Sequence, residues 1–262
     1  MKQMRTIVMF AVAVIVSCTV RVLQILCMTD PATGFYYPRF ETLGVALTLL
    51  YVSLIFATMI ISVGEMKGCV KIVRGSIPRA IIMIAAALAM LYCVTLGESG
   101  ALGIIKGVFA VGAAVYFAAE GFGERLIKAD MRRWLSIFPV LFWLAEVIVN
   151  FLLYTRMANI SENVFDMLAM GSLCLFFLIS GRFTNGFATT RSVKLLTPVG
   201  LCSVMLCFLA SLPRYIAACF PEISAMHPST YPAWVFAVLG VAVLLLLPRR
   251  VSPKPETETE AE

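Results

Sequence analysis

Four ionisable residues, Arg21, Lys106, Glu146 and Asp166, stand inside long apolar runs, and Gln24 and Asn150 accompany them. Charges in hydrocarbon are costly, so they face a bundle interior, where they pair with one another or line a cavity. Two chemistries follow. In one, two cations and two carboxylates cancel as structural ion pairs. In the other, Arg21 and Lys106 hold an anionic group of a small ligand while Glu146 and Asn150 orient a polar one. Helical spacing groups the candidates: Ser17, Arg21 and Gln24 share one face, and Glu146, Asn150 and Tyr154 share another.

The elements that must carry these residues are membrane helices. Of 262 residues, 61% are hydrophobic and 14% charged, with a mean hydropathy of +0.93. Soluble domains hold about 25% charged residues. The composition therefore excludes a soluble enzyme domain, a disordered chain and a disulfide-stapled secreted module. Eight apolar segments are read at Thr6–Cys27, Leu43–Val63, Ala80–Gly97, Leu102–Ala119, Leu135–Tyr154, Val164–Ser180, Leu195–Leu212 and Pro232–Leu247. The first is too long for a signal-peptide core and carries Arg21, so no cleaved leader is expected.

Basic residues set the expected orientation. Lys2, Arg5, Lys67, Lys71, Arg74, Arg79, Arg125, Lys128, Arg132, Arg133, Arg182, Arg191, Lys194, Arg249, Arg250 and Lys254 lie on the side of the amino terminus. Only Arg39, Arg156 and Arg214 fall in the opposite loops. This asymmetry predicts an all-α integral membrane bundle of about eight helices with both termini cytoplasmic. The net charge of +6 is then a topology signal, and its division among short loops argues against nucleic-acid binding.

At about 1.5 Å per residue, Arg21 lies about 10 Å below the outer end of its helix, Glu146 about 15 Å, Asn150 about 9 Å, and Lys106 and Asp166 within about 7 Å. All six polar residues thus occupy the outer half. The inner half shows only scattered Ser, Thr and Cys, which predicts an outward-opening polar chamber above an apolar floor. Snorkelling of long side chains near helix ends is the competing account for Lys106 and Asp166.

Other segments have local readings. Gly103, Gly107, Ala110, Ala114 and Ala118 form a small-residue stripe that predicts a central, closely packed fourth span. The basic turns around Lys67–Arg74 and Arg125–Arg132 suit an anionic membrane surface. Asp30-Pro31 and Thr33-Gly34 are turn chemistry, and Phe35, Tyr36, Tyr37 and Phe40 suit an interfacial aromatic belt or a lid over the chamber. Residues 1–250 form one membrane domain, and the glutamate-rich tail at 251–262 is expected to be disordered.

Motifs for enzymatic chemistry are sparse. His227 is the sole histidine, which excludes multi-histidine metal sites. The eight cysteines contain no CxxC pair, and only Cys27 and Cys219 both lie near the outer side, where a disulfide is conceivable. There is no phosphate-binding loop and no dinucleotide fingerprint, so no cofactor is expected. Gly97-Glu98-Ser99-Gly100 resembles the GxSG motif of rhomboid intramembrane serine proteases. That family's catalytic histidine lies within a later helix, whereas His227 precedes a proline in an outer loop, and its His-x-x-x-Asn is missing. The four residues read as a tight turn between the third and fourth spans, and the chain is not expected to be an enzyme.

One further resemblance is more local. Arg21-x-x-Gln24 followed by Asp30-Pro31-x-Thr33-Gly34-Phe35, some fifteen residues in all, resembles a pattern in uncharacterised multipass membrane proteins of Clostridia-type bacteria. The resemblance implies a bacterial inner (plasma) membrane and carries no activity. It associates Arg21 and Gln24 with the turn that follows them.

Two functional classes emerge. The first is an outward-facing protein that binds or transports a small polar or anionic molecule through Arg21, Gln24, Lys106, Glu146, Asn150 and Asp166. The second is a structural or regulatory membrane subunit that works through protein partners, its charges holding helices in register. A cavity reaching Glu146 favours the first, and direct salt bridges without a void favour the second.

Overall fold

A computed structural model describes residues 2–30, 35–63, 70–71, 76–96, 100–122, 129–154, 161–187, 190–220, 231–247 and 249–250. Its helices are α1 (Lys2–Met28), α2 (Glu41–Val63), α3 (Ile77–Thr95), α4 (Ala101–Phe122), α5 (Ala129–Leu135), α6 (Ile137–Tyr154), α7 (Ser161–Thr184), α8 (Thr190–Ala218) and α9 (Ala233–Leu246). A 3-10 turn, Pro38–Phe40, leads into α2. Among the described residues, seven helical segments are long and apolar enough to cross a membrane, and α9 is a shorter apolar helix. The protein is an all-α, multipass membrane bundle.

The eighth segment differs from expectation in length. Pro232 starts α9 without a side-chain cap, and Leu247, extended at φ −61° and ψ 135°, ends it one residue before Pro248. A residue preceding proline is driven out of the helical region. The resulting 14 residues span about 21 Å. Such a length suffices because α9 lies between α3 and α8 with Val235, Phe236, Leu239 and Val243 buried, so its ends need not reach lipid headgroups. Two-residue strands, β1 (Val70–Lys71) and β2 (Arg249–Arg250), pair antiparallel and bring the end of α9 to the side of the α2–α3 connection.

Prolines behave as membrane helices allow. The seventh segment does not stop before Pro213: α8 runs 29 residues through Pro198 and Pro213 to Ala218. Neighbouring helices can re-satisfy backbone groups that a membrane-embedded proline frees. The fifth segment, read from Leu135, is α6 from Ile137 onward, and Ser136 separates it from the short α5 that precedes it. Pro139 has no N–H with which to bond the Leu135 carbonyl. Ser136 Oγ donates to the Arg133 carbonyl at 2.7 Å and accepts from Asn185 Nδ2 at 3.3 Å, so the break is tied to the end of α7.

The fourth span is not the centre of the bundle. Of the residues in the spanning part of α8, 67% are buried, against 28% in α4. Helix α8 packs against α7, α9, α1 and α2, whereas α4 lies chiefly against α3 and α6. The small residues of α4 nevertheless serve close packing. A Cβ on Gly107 would lie 3.5 Å from Val94 on α3, and one on Gly112 would overlap the Phe138 ring on α6. Small residues let helices approach where hydrophobic exclusion from water gives no drive.

The core is aromatic in two places. Trp143 lies against Phe142, Tyr231 and Phe236, and Tyr116, Phe117, Phe176 and Phe177 form a second group. The tail at 251–262, the loop tip at 31–34, Ser99, His227 and most of the basic-turn residues fall outside the described residues.

Candidate functional site

The polar residues gather in the half of the bundle opposite the amino terminus, as three neighbouring groups. The first is built on α1. Gln24, fully buried, accepts from Arg21 Nη1 at 2.5 Å and from the Tyr51 hydroxyl at 3.3 Å. Its amide donates to the Gly44 carbonyl at 3.0 Å and to the Tyr36 hydroxyl at 2.7 Å. Arg21 Nη1 also donates to that hydroxyl at 3.3 Å, and the guanidinium carbon sits 4.8 Å above the Phe165 ring. Backbone pairing of Thr29 with Tyr36, and hydrogen bonds from Asp30 N to Phe35 O and from Tyr37 N to Met28 O, fold the connection back so that Tyr36 reaches inward. Tyr36 is therefore a member of the polar set rather than of an interfacial belt.

The second group joins α4 and α6. Lys106 Nζ meets Glu146 Oε1 at 2.8 Å. Asn150 Nδ2 donates to the Glu146 carbonyl at 2.8 Å and to Glu146 Oε2 at 3.3 Å, and lies 3.6 Å from Met170 Sδ on α7. Glu146 is fully buried and Lys106 nearly so. One turn of separation places Asn150 directly over the carboxylate.

The third group joins α7 and α8. Arg214 Nη2 lies 3.0 Å from Asp166 Oδ1, and Nη1 donates to Oδ2 at 3.1 Å, a two-pronged contact. Continuation of α8 through Pro213 carries Arg214 into the bundle, which corrects its placement in an outer loop. The opening turns of α7 link all three groups: Phe165 lies under Arg21, Asp166 binds Arg214, and Met170 touches Asn150.

The sequence-predicted residues are thus brought into one half of the membrane, in a different partnership. Lys106 is engaged by Glu146 instead of sharing an anion with Arg21. The carboxylate and ammonium touch directly, so this arrangement holds no open polar chamber between them. A groove of about 340 Å³ does exist, between α1, α8 and α9, but Phe10, Val14, Leu201, Phe208 and Leu244 line it with hydrocarbon.

The amino-terminal half is not a purely apolar floor. Arg79 Nη2 on α3 bonds Glu120 Oε2 on α4 at 2.9 Å, and Arg132 Nη1 on α5 lies 3.9 Å from Glu120 Oε1. All three side chains are buried. Arg79 and Arg132 are buried in helices instead of lying in the cytoplasmic stretches or at the membrane surface, and the fourth apolar run closes at Ala119, one residue before the carboxylate. A carboxylate at the end of an apolar run with arginines in both neighbouring segments was the available signal.

Among the described residues, no group of three metal-ligating side chains stands together. Cys27 and Cys219 are free thiols. No known protein family, curated protein or solved structure matches this chain.

Proposed function

We propose that this multipass membrane protein is a structural or regulatory subunit of a bacterial plasma membrane, without enzymatic activity of its own, whose buried charges hold its helices in register. One observation carries the reading. Each buried carboxylate described within the spans meets a cation from another helix: Glu146 with Lys106, Asp166 with Arg214 and Glu120 with Arg79. A pair in hydrocarbon specifies which helices adjoin, because separating the partners strands a charge. The aromatic and small-residue packing then supplies contact area around those fixed points.

A second reading, an outward-facing site for a small molecule, is favoured by the Arg21 group. There the guanidinium and the carboxamide both donate to Tyr36, a side chain borne by the α1–α2 connection instead of a spanning helix. Thiol accessibility separates the two readings. In a chain with Cys27, Cys69 and Cys219 replaced by Ser, Gln24→Cys and Asn150→Cys are exposed to a membrane-impermeant maleimide. The structural reading expects both to remain unlabelled in the folded protein. Rapid labelling of either from the side opposite the amino terminus supports the small-molecule reading.

A further inference from the structure

The Tyr36 ring occupies a slot on α2 that exists because residue 44 is glycine. A Cβ there would stand 2.9 Å from two ring carbons, so any side chain would push the ring out. At the rim of the ring, Gln24 Nε2 and Arg21 Nη1 converge on one oxygen at 2.7 and 3.3 Å. Neither donor depends on Tyr36 for its position. Gln24 Oε1 is fixed by Arg21 and Tyr51, and its amide is fixed by the Gly44 carbonyl. Arg21, Gln24 and Tyr51 are fully buried on spanning helices, whereas Tyr36 is half-buried and arrives from the connection. The slot is therefore a pre-set flat surface with two donors aimed at one point. Its depth suits a ring from the bilayer: Arg21 lies about 10 Å from the end of α1, a level where an aromatic body and a polar tip are both accommodated.

We propose that the slot over Gly44 is a binding site for a membrane-soluble ring carrying an oxygen acceptor at its rim, the chemistry shared by phenols and quinones, and that Tyr36 occupies it in the ligand-free protein. The proposal rests on the small-molecule reading above and names the ligand class of that site. Rotation of the Tyr36 side chain out of the slot frees both donors for the incoming oxygen. The ligand and Tyr36 compete, which makes wild-type affinity weaker than that of a chain lacking the phenol.

The test uses full-length protein in detergent with p-cresol as the phenol, duroquinone as the quinone and toluene as a ring without the acceptor. Binding is read by ligand-observed NMR. In Tyr36→Ala, p-cresol or duroquinone binds about tenfold tighter than toluene, the worth of one to two hydrogen bonds. Preference for one of the two oxygenated rings identifies the source. Tyr36→Ala combined with Gly44→Ala narrows the slot and removes that preference over toluene while leaving the helices intact. Wild type binds the same ring about ten- to a hundredfold more weakly than Tyr36→Ala. Equal binding of all three rings by Tyr36→Ala overturns the proposal. So does a wild type that binds neither oxygenated ring at saturation, a result that stands whether or not the alanine variant folds. No ring preference together with maleimide labelling of Gln24→Cys or Asn150→Cys defeats this ligand class alone, whereas no ring preference with both cysteines unlabelled, in the wild-type and Tyr36→Ala backgrounds alike, defeats the small-molecule reading itself.

Discussion

Lys106 on α4 and Glu146 on α6 touch at 2.8 Å inside the helical bundle. Asn150 donates to the other carboxylate oxygen at 3.3 Å, so Glu146 has a partner on each oxygen. A charge enclosed in this way gains from its partners only while the two helices keep their relative height and rotation. The pair is thus a statement about geometry: α4 and α6 are held in one register.

The Asp166–Arg214 contact should be sensitive to the shape of the cation as well as its charge. Arg214→Lys keeps the charge and loses the planar two-pronged contact. We expect it to cost about 1–2 kcal/mol, and Arg214→Ala about 3–5 kcal/mol because Asp166 is left buried. Denaturant titration of the detergent-solubilised variants checks the order.

In the amino-terminal half, Glu120 is the shared partner of two arginines. Glu120→Ala should therefore destabilise more than Arg132→Ala, whose nearest approach to the carboxylate is 3.9 Å. A loss of about 3–5 kcal/mol is expected for the glutamate variant. Thermal melts of both variants, followed by helical circular dichroism, give the comparison.

Gly112 on α4 lies against the Phe138 ring of α6. A Cβ there would overlap Phe138, so Gly112→Ala forces the aromatic out of its place despite alanine's better helix propensity. Overpacking of this kind costs about 1–3 kcal/mol. Phe138→Leu introduced alongside Gly112→Ala should recover part of the loss. Melting temperatures of the two single variants and the double variant measure this.

Removal of the Tyr36 hydroxyl isolates the tie between the α1–α2 connection and the helices. Tyr36→Phe deletes the acceptor for Arg21 Nη1 and Gln24 Nε2 while the ring keeps its slot over Gly44. The expected cost is about 1–3 kcal/mol, with faster amide hydrogen exchange at the pairing of Thr29 with residue 36. Hydrogen exchange read by mass spectrometry reports the second effect.

How much of this was legible in the chain depends on the kind of signal. Apolar runs identify spanning helices because the bilayer forces every backbone group to bond within its own segment, and all eight segments are helical. Ends were less legible. Proline reads as a stop in water, yet α8 continues through Pro213, and that continuation brings Arg214 to Asp166. The same difficulty hid Glu120, which stands one residue past where the run was closed. Helical spacing correctly placed Arg21 beside Gln24, and Glu146 beside Asn150, because those neighbours are local. It carries no information on which helices adjoin, so the partnership of Lys106 with Glu146 and the approach of Tyr36 to α1 required the fold. The stripe on α4 was legible as a close-packing face and misleading as a sign of centrality, since small residues report separation between helices and not the number of neighbours.

The most direct test of the claim that paired charges set helix register is a reversal cycle at Lys106 and Glu146. Lys106→Glu, Glu146→Lys and the doubly reversed chain are compared with wild type by reversible denaturation in one detergent. The account predicts that each single reversal loses at least about 3–5 kcal/mol and that the double reversal regains more than half of it. Single reversals as stable as wild type, or a double reversal no better than the sum of its parts, would contradict it.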